Sequence, residues 1–87
     1  MFTVTNPAGA RLAHLLETKG DAAVARIFCR KHKLRLGVGQ LRPGDQTFSH
    51  EGRVVLALDQ RISTSLSRRR LYVRQTDTGP RLKLQPQ

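Results

Sequence analysis

After Gly20 no stretch of this chain sustains a helical period for more than about two turns, which excludes a helical bundle. Short apolar segments alternate instead with turn-forming clusters. Ala23 to Cys29 is an apolar run interrupted by Arg26, and Leu34-Arg35-Leu36-Gly37-Val38 alternates with period two, which predicts a half-buried strand. Arg42-Pro43-Gly44-Asp45 reads as a turn, with proline presetting φ and glycine supplying a left-handed dihedral. Thr47 to His50 resumes as strand, Glu51-Gly52 turns, and Arg53 to Leu58 is the most continuous apolar strand. Asp59 is placed to cap a short helix through Leu66, with Ile62 and Leu66 one turn apart. Leu71-Tyr72-Val73 is a further strand, Asp77-Thr78-Gly79-Pro80 a turn, and Arg81-Leu82-Lys83-Leu84 the last alternating strand. Leu36-Gly37-Val38-Gly39 lacks a following helix start and marks a twist or bulge rather than a phosphate loop.

The front is different. Phe2 to Thr5 reads as a short strand, and Asn6-Pro7 as a helix start with Asn6 as cap. Ala8, Leu12, Leu15 and Leu16 form one apolar stripe, and Gly20 closes the helix. One helix, then six or so short strands with one helical interruption, gives a β-rich α+β fold whose core holds Val54, Val55, Leu56, Leu58, Leu71 and Leu84. Eighty-seven residues, 38% of them hydrophobic, suffice for a single domain over residues 1–87.

Phe2 to Thr5, Pro7-Ala8, Arg11-Leu12 and Leu15-Leu16 open the chain; Pro43-Gly44-Asp45, Phe48, Gly52, Val54-Val55 and Asp59 fill its middle. Leu66, Leu71 and Gly79-Pro80-Arg81-Leu82-Lys83-Leu84 close it. In this order the parts resemble the A-type iron–sulfur carrier family, also called HesB/IscA-like, over nearly the whole length. The resemblance implies a HesB-like small β-sandwich or barrel-like pair of sheets, with one N-terminal helix and one short helix after the central strand. It also implies a place near iron–sulfur assembly. Family members hold iron or a cluster with a middle cysteine and a C-terminal Cys-Gly-Cys pair. Here no cysteine follows Cys29, Lys33 to Gln40 contains none, and the chain reaches Gln87 where the pair would begin. No ligand residue of the family therefore transfers, and neither iron nor an iron–sulfur cluster is expected: the cofactor expectation is none.

Cys29 and His32 have C-x-x-H spacing, half a metal site, in competition with a buried or semi-buried strand cysteine that packs as a small hydrophobe. Ser49-His50-Glu51 are adjacent on a strand, which points His50 away from its neighbours and argues against a triad, so an enzyme is not expected. A lone cysteine excludes an internal disulfide framework, no apolar run approaches a membrane span, and Met1 to Thr5 lacks a signal-like start, so a cytoplasmic location is expected.

Charge carries the remaining signal. Sixteen Lys+Arg against six Asp+Glu give +10, so polyanions become partners of choice. One basic cluster is Arg30, Lys31, Lys33 and Arg35, and another is Arg68, Arg69, Arg70 and Arg74. Arg81 and Lys83 alternate on the last strand, and would join Lys33 and Arg35 in one patch if their strands are neighbours. Of Arg68, Arg69 and Arg70, at least one is expected to point into solvent, because only Asp59 and Asp77 lie near in sequence. The leading expectation is a non-catalytic HesB/IscA-like binding, adaptor or regulatory protein, monomeric or weakly dimeric, with an acidic protein partner. The alternative is a nucleic-acid-binding module using a positively charged sheet face, although four aromatic residues (Phe2, Phe28, Phe48, Tyr72) are thin material for stacking bases.

Overall fold

Thr5 is already extended, at φ −68° and ψ 157°, and its backbone N–H is anchored on the Leu71 carbonyl at 3.0 Å. Its hydroxyl accepts a 3.3 Å hydrogen bond from the Ala8 N–H, so Thr5, rather than Asn6, caps the first helix. The cap falls one residue early because the strand before it has set the extended dihedrals a cap requires. These elements belong to a computed structural model that describes residues 2–86. The strand is β1 (Thr3–Val4) and the helix α1 (Asn6–Leu16). Ala8, Gly9, Leu12 and Leu16 are buried along it, whereas Leu15 at the stripe's edge is exposed. The helix stops at Leu16 with Glu17 as its C-cap, short of Gly20. Gly20, at φ +93°, serves the next turn instead and accepts a hydrogen bond from the Ala23 N–H.

A four-stranded sheet follows, in the order β3-β2-β5-β4, from β2 (Ala23–Arg30), β3 (Lys33–Gln40), β4 (Gln46–His50) and β5 (Arg53–Leu58). Strand β5 runs parallel to β2 and antiparallel to β4. The helix α2 (Gln60–Ser65) is capped by Asp59, whose Oδ1 accepts from the Ile62 N–H at 2.8 Å. The closing hairpin, β6 (Arg69–Thr76) and β7 (Gly79–Pro86), forms a second sheet in the order β1-β6-β7.

The core centres on β5, where Val55, Leu56, Ala57 and Leu58 are all buried, as a strand covered on both faces requires. Leu12, Leu16, Ile27, Ile62, Leu66 and Leu71 pack around it. Phe2 meets Phe48 edge to face, ring centroids 5.3 Å apart. Val54 and Leu84, expected in the core, are only half-buried. Val54 sits beside the Glu51-Gly52 turn and Leu84 on the edge strand β7, where one flank is open.

Strand β3 departs most from expectation. Its alternation predicts one buried face, yet Leu34, Leu36 and Val38 are 42%, 40% and 54% exposed. The cause is position: β3 is an edge strand, and α1 packs on β2, β4, β5 and β6. A gap of about 190 Å³ lined by Leu12, Leu15, Leu36 and Val38 separates helix from edge. Its glycines do not mark a bulge, since the β2–β3 register is unbroken. They make room: a Cβ on Gly37 would lie 3.0 Å from Phe28 Cε1, and one on Gly39 2.9 Å from Arg26 Cδ. The irregularity falls instead between Phe48 and Ser49 of β4.

Candidate anion-binding surfaces

The β2–β3 hairpin closes through Lys31 and His32, both left-handed at φ 51° and 64°. Two left-handed residues make a turn whose twist matches the strands and keeps the register tight. Phe28 pairs with Arg35 and Arg30 with Lys33, so these four share one face of the hairpin. Ile27 with Leu36 and Cys29 with Leu34 occupy the other. The charged face borders a cleft of about 500 Å³ lined by Phe28, Arg30, Lys31, Lys33, Arg35 and Leu36.

One turn of pleat further in, the same face holds Arg26, whose role is different. Its guanidinium bridges both carboxylate oxygens of Asp45, at 3.2 Å from Nη2 to Oδ1, and donates to the Gln40 carbonyl at 3.1 Å. Asp45 also accepts from the Arg42 N–H at 2.8 Å. The hydrogen bonds from Arg26 hold the Asp45 carboxyl below the usual carboxylate range, against an opposing desolvation, with further help from the Arg42 amide. The same pairing raises Arg26 above its ordinary value. Arg26 is thus neutralised. Arg30, Lys31, Lys33 and Arg35 are in no ion pair among the described residues.

On the β6–β7 hairpin, Arg70 pairs with Gln85, Tyr72 with Lys83, and Arg74 with Arg81. Each pair is equidistant from the Asp77-Thr78 turn, and all of them share the outward face. The opposite face carries Leu71, Val73, Leu82 and Leu84 toward the core. Arg81 is held by Thr78, whose Oγ1 accepts from Nε at 3.3 Å and from Nη2 at 3.0 Å. Arg81 and Lys83 therefore share no sheet face with Lys33 and Arg35, because β7 and β3 are not paired. Strands β3 and β7 are edge strands of different sheets, and a groove of about 230 Å³ lies between them, with Ile27, Leu34, Leu36, Leu82 and Leu84 on its walls and Arg35 and Lys83 bordering it. Two basic faces result instead of one, and Arg81 and Lys83 fall in with Arg70 and Arg74.

Arg68 is exposed and in no ion pair among the described residues, Arg69 is exposed, and Arg70 is half-buried. Arg68→Ser is expected to shift stability by no more than about 0.5 kcal/mol, read from urea unfolding, as for surface positions with no specific partner. A larger loss would give Arg68 a structural role.

Cys29 is exposed, which corrects the buried alternative: it projects from the hairpin beyond the point where Ile27 still reaches the core. His32 lies in the turn itself. Among the described residues no group of three or more His, Cys, Asp and Glu could hold a metal ion. In Ser49-His50-Glu51 the histidine and its neighbours do point apart. His50 is half-buried against α1, with its Nδ1 3.0 Å from where a Cβ on Gly9 would stand, while Ser49 and Glu51 are exposed. Phe28 and Tyr72 were not singled out from the sequence as site residues. The equal spacing of Tyr72 and Lys83 about the Asp77-Thr78 turn was the signal that could have placed Tyr72.

Two helices on two sheets in these orders, with β5 at the centre, give the chain a HesB/IscA-like fold. Among solved structures, the chain is similar to SufA of Escherichia coli, described as involved in biosynthesis of iron–sulfur clusters, at 13% identity and a TM-score of 0.73, covering 98% of this chain and 84% of that one. It is also similar to an IscA solved with its [2Fe-2S] cluster, at 14% identity and a TM-score of 0.66, covering 99% of this chain and 85% of that one. No protein-family model and no curated protein sequence matches the chain. No helix is long and apolar enough to cross a membrane.

The IscA structure corrects the expectation of no cofactor. A protein of this same fold carries a [2Fe-2S] cluster, so the reading of none, drawn from cysteine count, is withdrawn. These 87 residues nevertheless hold a single cysteine, Cys29, with His32 beyond it in the turn. One thiolate does not fit a cluster of that kind by itself, and further ligands would have to come from outside this set.

Proposed function

We propose that this chain is a binding protein of the A-type carrier fold, an adaptor associated with iron–sulfur assembly in the cytoplasm that docks on an acidic protein partner rather than catalysing a reaction. The observation that carries this reading is the composition of the β2–β3 hairpin. Arg30, Lys31, Lys33 and Arg35 line a cleft beside Phe28, and among the described residues none of the four is in an ion pair. Directly behind lie the exposed Leu34, Leu36 and Val38 of an edge strand. A basic cleft beside an exposed apolar stripe suits a protein surface, where charge steers the encounter and apolar contact holds it. The likeness to SufA and IscA supports the association with iron–sulfur assembly.

Poly-glutamate is a sufficient surrogate for the acidic face. Replacing Arg30, Lys31, Lys33 and Arg35 together by serine should weaken its binding at least about tenfold at low salt, measured by fluorescence anisotropy, because four charge-assisted contacts disappear. Unchanged affinity in a folded variant would remove the hairpin as the docking surface.

A further inference from the structure

The outer face of the β6–β7 hairpin differs in kind from the β2–β3 cleft. Among the described residues the exposed large apolar side chains are Leu15, Phe28, Leu34, Leu36, Val38 and Leu41, and none lies on this hairpin. Its register runs without a break from Arg69↔Pro86 to Thr76↔Gly79, so the face is an open strip with no bulge to interrupt it. Arg70, Arg74, Arg81 and Lys83 project from it, and none is in an ion pair among the described residues. Tyr72 stands at the middle, with Lys83 opposite and Arg70 and Arg74 two positions away on either side. An interface for a protein would be expected to carry an apolar centre. Here the centre is one half-buried aromatic ring and the surround is cationic.

That combination fits a polymer of regularly spaced phosphates that also offers flat π faces. Guanidinium forks match phosphate oxygens in pairs, and three of the four cations are arginine. An aromatic ring between them can take one unstacked base, a contact that does not depend on which base it is. A duplex hides those base faces, so only an unpaired strand uses both features. Arg81 is steered by its two hydrogen bonds to Thr78 Oγ1.

We infer that the outer face of the β6–β7 hairpin binds single-stranded nucleic acid without sequence selection, with Arg70, Arg74, Arg81 and Lys83 on phosphates and Tyr72 stacked on one base. This goes beyond the adaptor reading and uses a separate face. The test is a titration of labelled oligothymidylate with the full chain at several salt concentrations. Four phosphate contacts give a slope of log affinity against log salt of about −3, and the double variant Arg74→Ser/Arg81→Ser should reduce it to about −1.4. Tyr72→Ala should weaken the oligonucleotide about tenfold, Tyr72→Phe should not, and a duplex of equal length should be indifferent to either. Thermal unfolding of each variant separates lost binding from lost folding. The four-serine β2–β3 variant should still bind, which keeps this result separable from the fate of the adaptor reading. An unaltered salt slope in the folded Arg74→Ser/Arg81→Ser variant would overturn the inference. So would equal binding of poly-glutamate at this face, which would mark it as a second acidic-protein surface.

Discussion

Leu56→Ala should cost about 3–5 kcal/mol of folding stability at 25 °C. Leu56 has no solvent exposure and lies in the strand that both neighbours clamp, paired with Ala25 on one side and Phe48 on the other. Helix α1 and helix α2 both pack on β5, so no single element can slide in to fill the space the missing atoms leave. Large-to-small changes cost most where collapse is blocked in this way. Total stability for a chain of 87 residues is on the order of 4–13 kcal/mol, so the loss is a large share of it. Leu36→Ala is the control. Leu36 is 40% exposed on the edge strand, and the same truncation there should cost less than about 1 kcal/mol. Urea unfolding at constant m-value compares the two directly. Equal losses at the two positions would mean that the core is not centred on β5.

The contrast between these leucines also shows what could be read from the sequence. The unbroken apolar run Val54 to Leu58 within the strand from Arg53 predicts a strand covered on both faces, and Val55 to Leu58 are buried accordingly. The Asp59 cap, the Arg42-Pro43-Gly44-Asp45 turn and the closing hairpin were legible because each rests on local dihedral and hydrogen-bond chemistry that tertiary packing rarely overrides. Leu34-Arg35-Leu36 was misread for a non-local reason. Alternation says that a strand has two unlike faces, but whether something covers the apolar one depends on its place in the sheet, and β3 is an edge.

The same distinction governs the basic surfaces. Each cluster was visible as charge, yet which clusters share a face depends on strand order. The pairing of Arg81 with Arg74 and of Lys83 with Tyr72 follows from a hairpin turn that the sequence displays, whereas the separation of β3 from β7 needs the topology of both sheets. Asp45 was recognised only as a turn residue. Its partner Arg26 is 19 positions away and reads in sequence as an interruption of an apolar run.

Asp45→Asn should destabilise the protein by about 2–3 kcal/mol at neutral pH, just under the range of about 3–5 kcal/mol for removing one partner of a fully buried ion pair, because the two residues as a whole are half-buried. The side chains of Asp45 and Arg26 are only 4% and 12% exposed. One carboxylate ties three segments: Arg26 of β2, the Arg42 amide at the head of the turn and, through the guanidinium, the Gln40 carbonyl ending β3. Asparagine keeps the shape but leaves the Arg26 cation without a counter-charge, and the retained bond to Gln40 limits the damage. The folded carboxyl titrates below its unfolded value, so the pair's contribution is complete above the ordinary carboxylate range. It fades as pH falls below about 4 and the proton competes with Arg26. The stability gap between the natural chain and Asp45→Asn should therefore narrow from pH 7 to pH 3, measured as urea midpoints. A gap of the same size at both pH values would assign the cost to shape or hydrogen bonding and not to charge. Replacing both partners, Arg26→Met with Asp45→Leu, should recover much of the loss, because no buried cation then remains to be balanced.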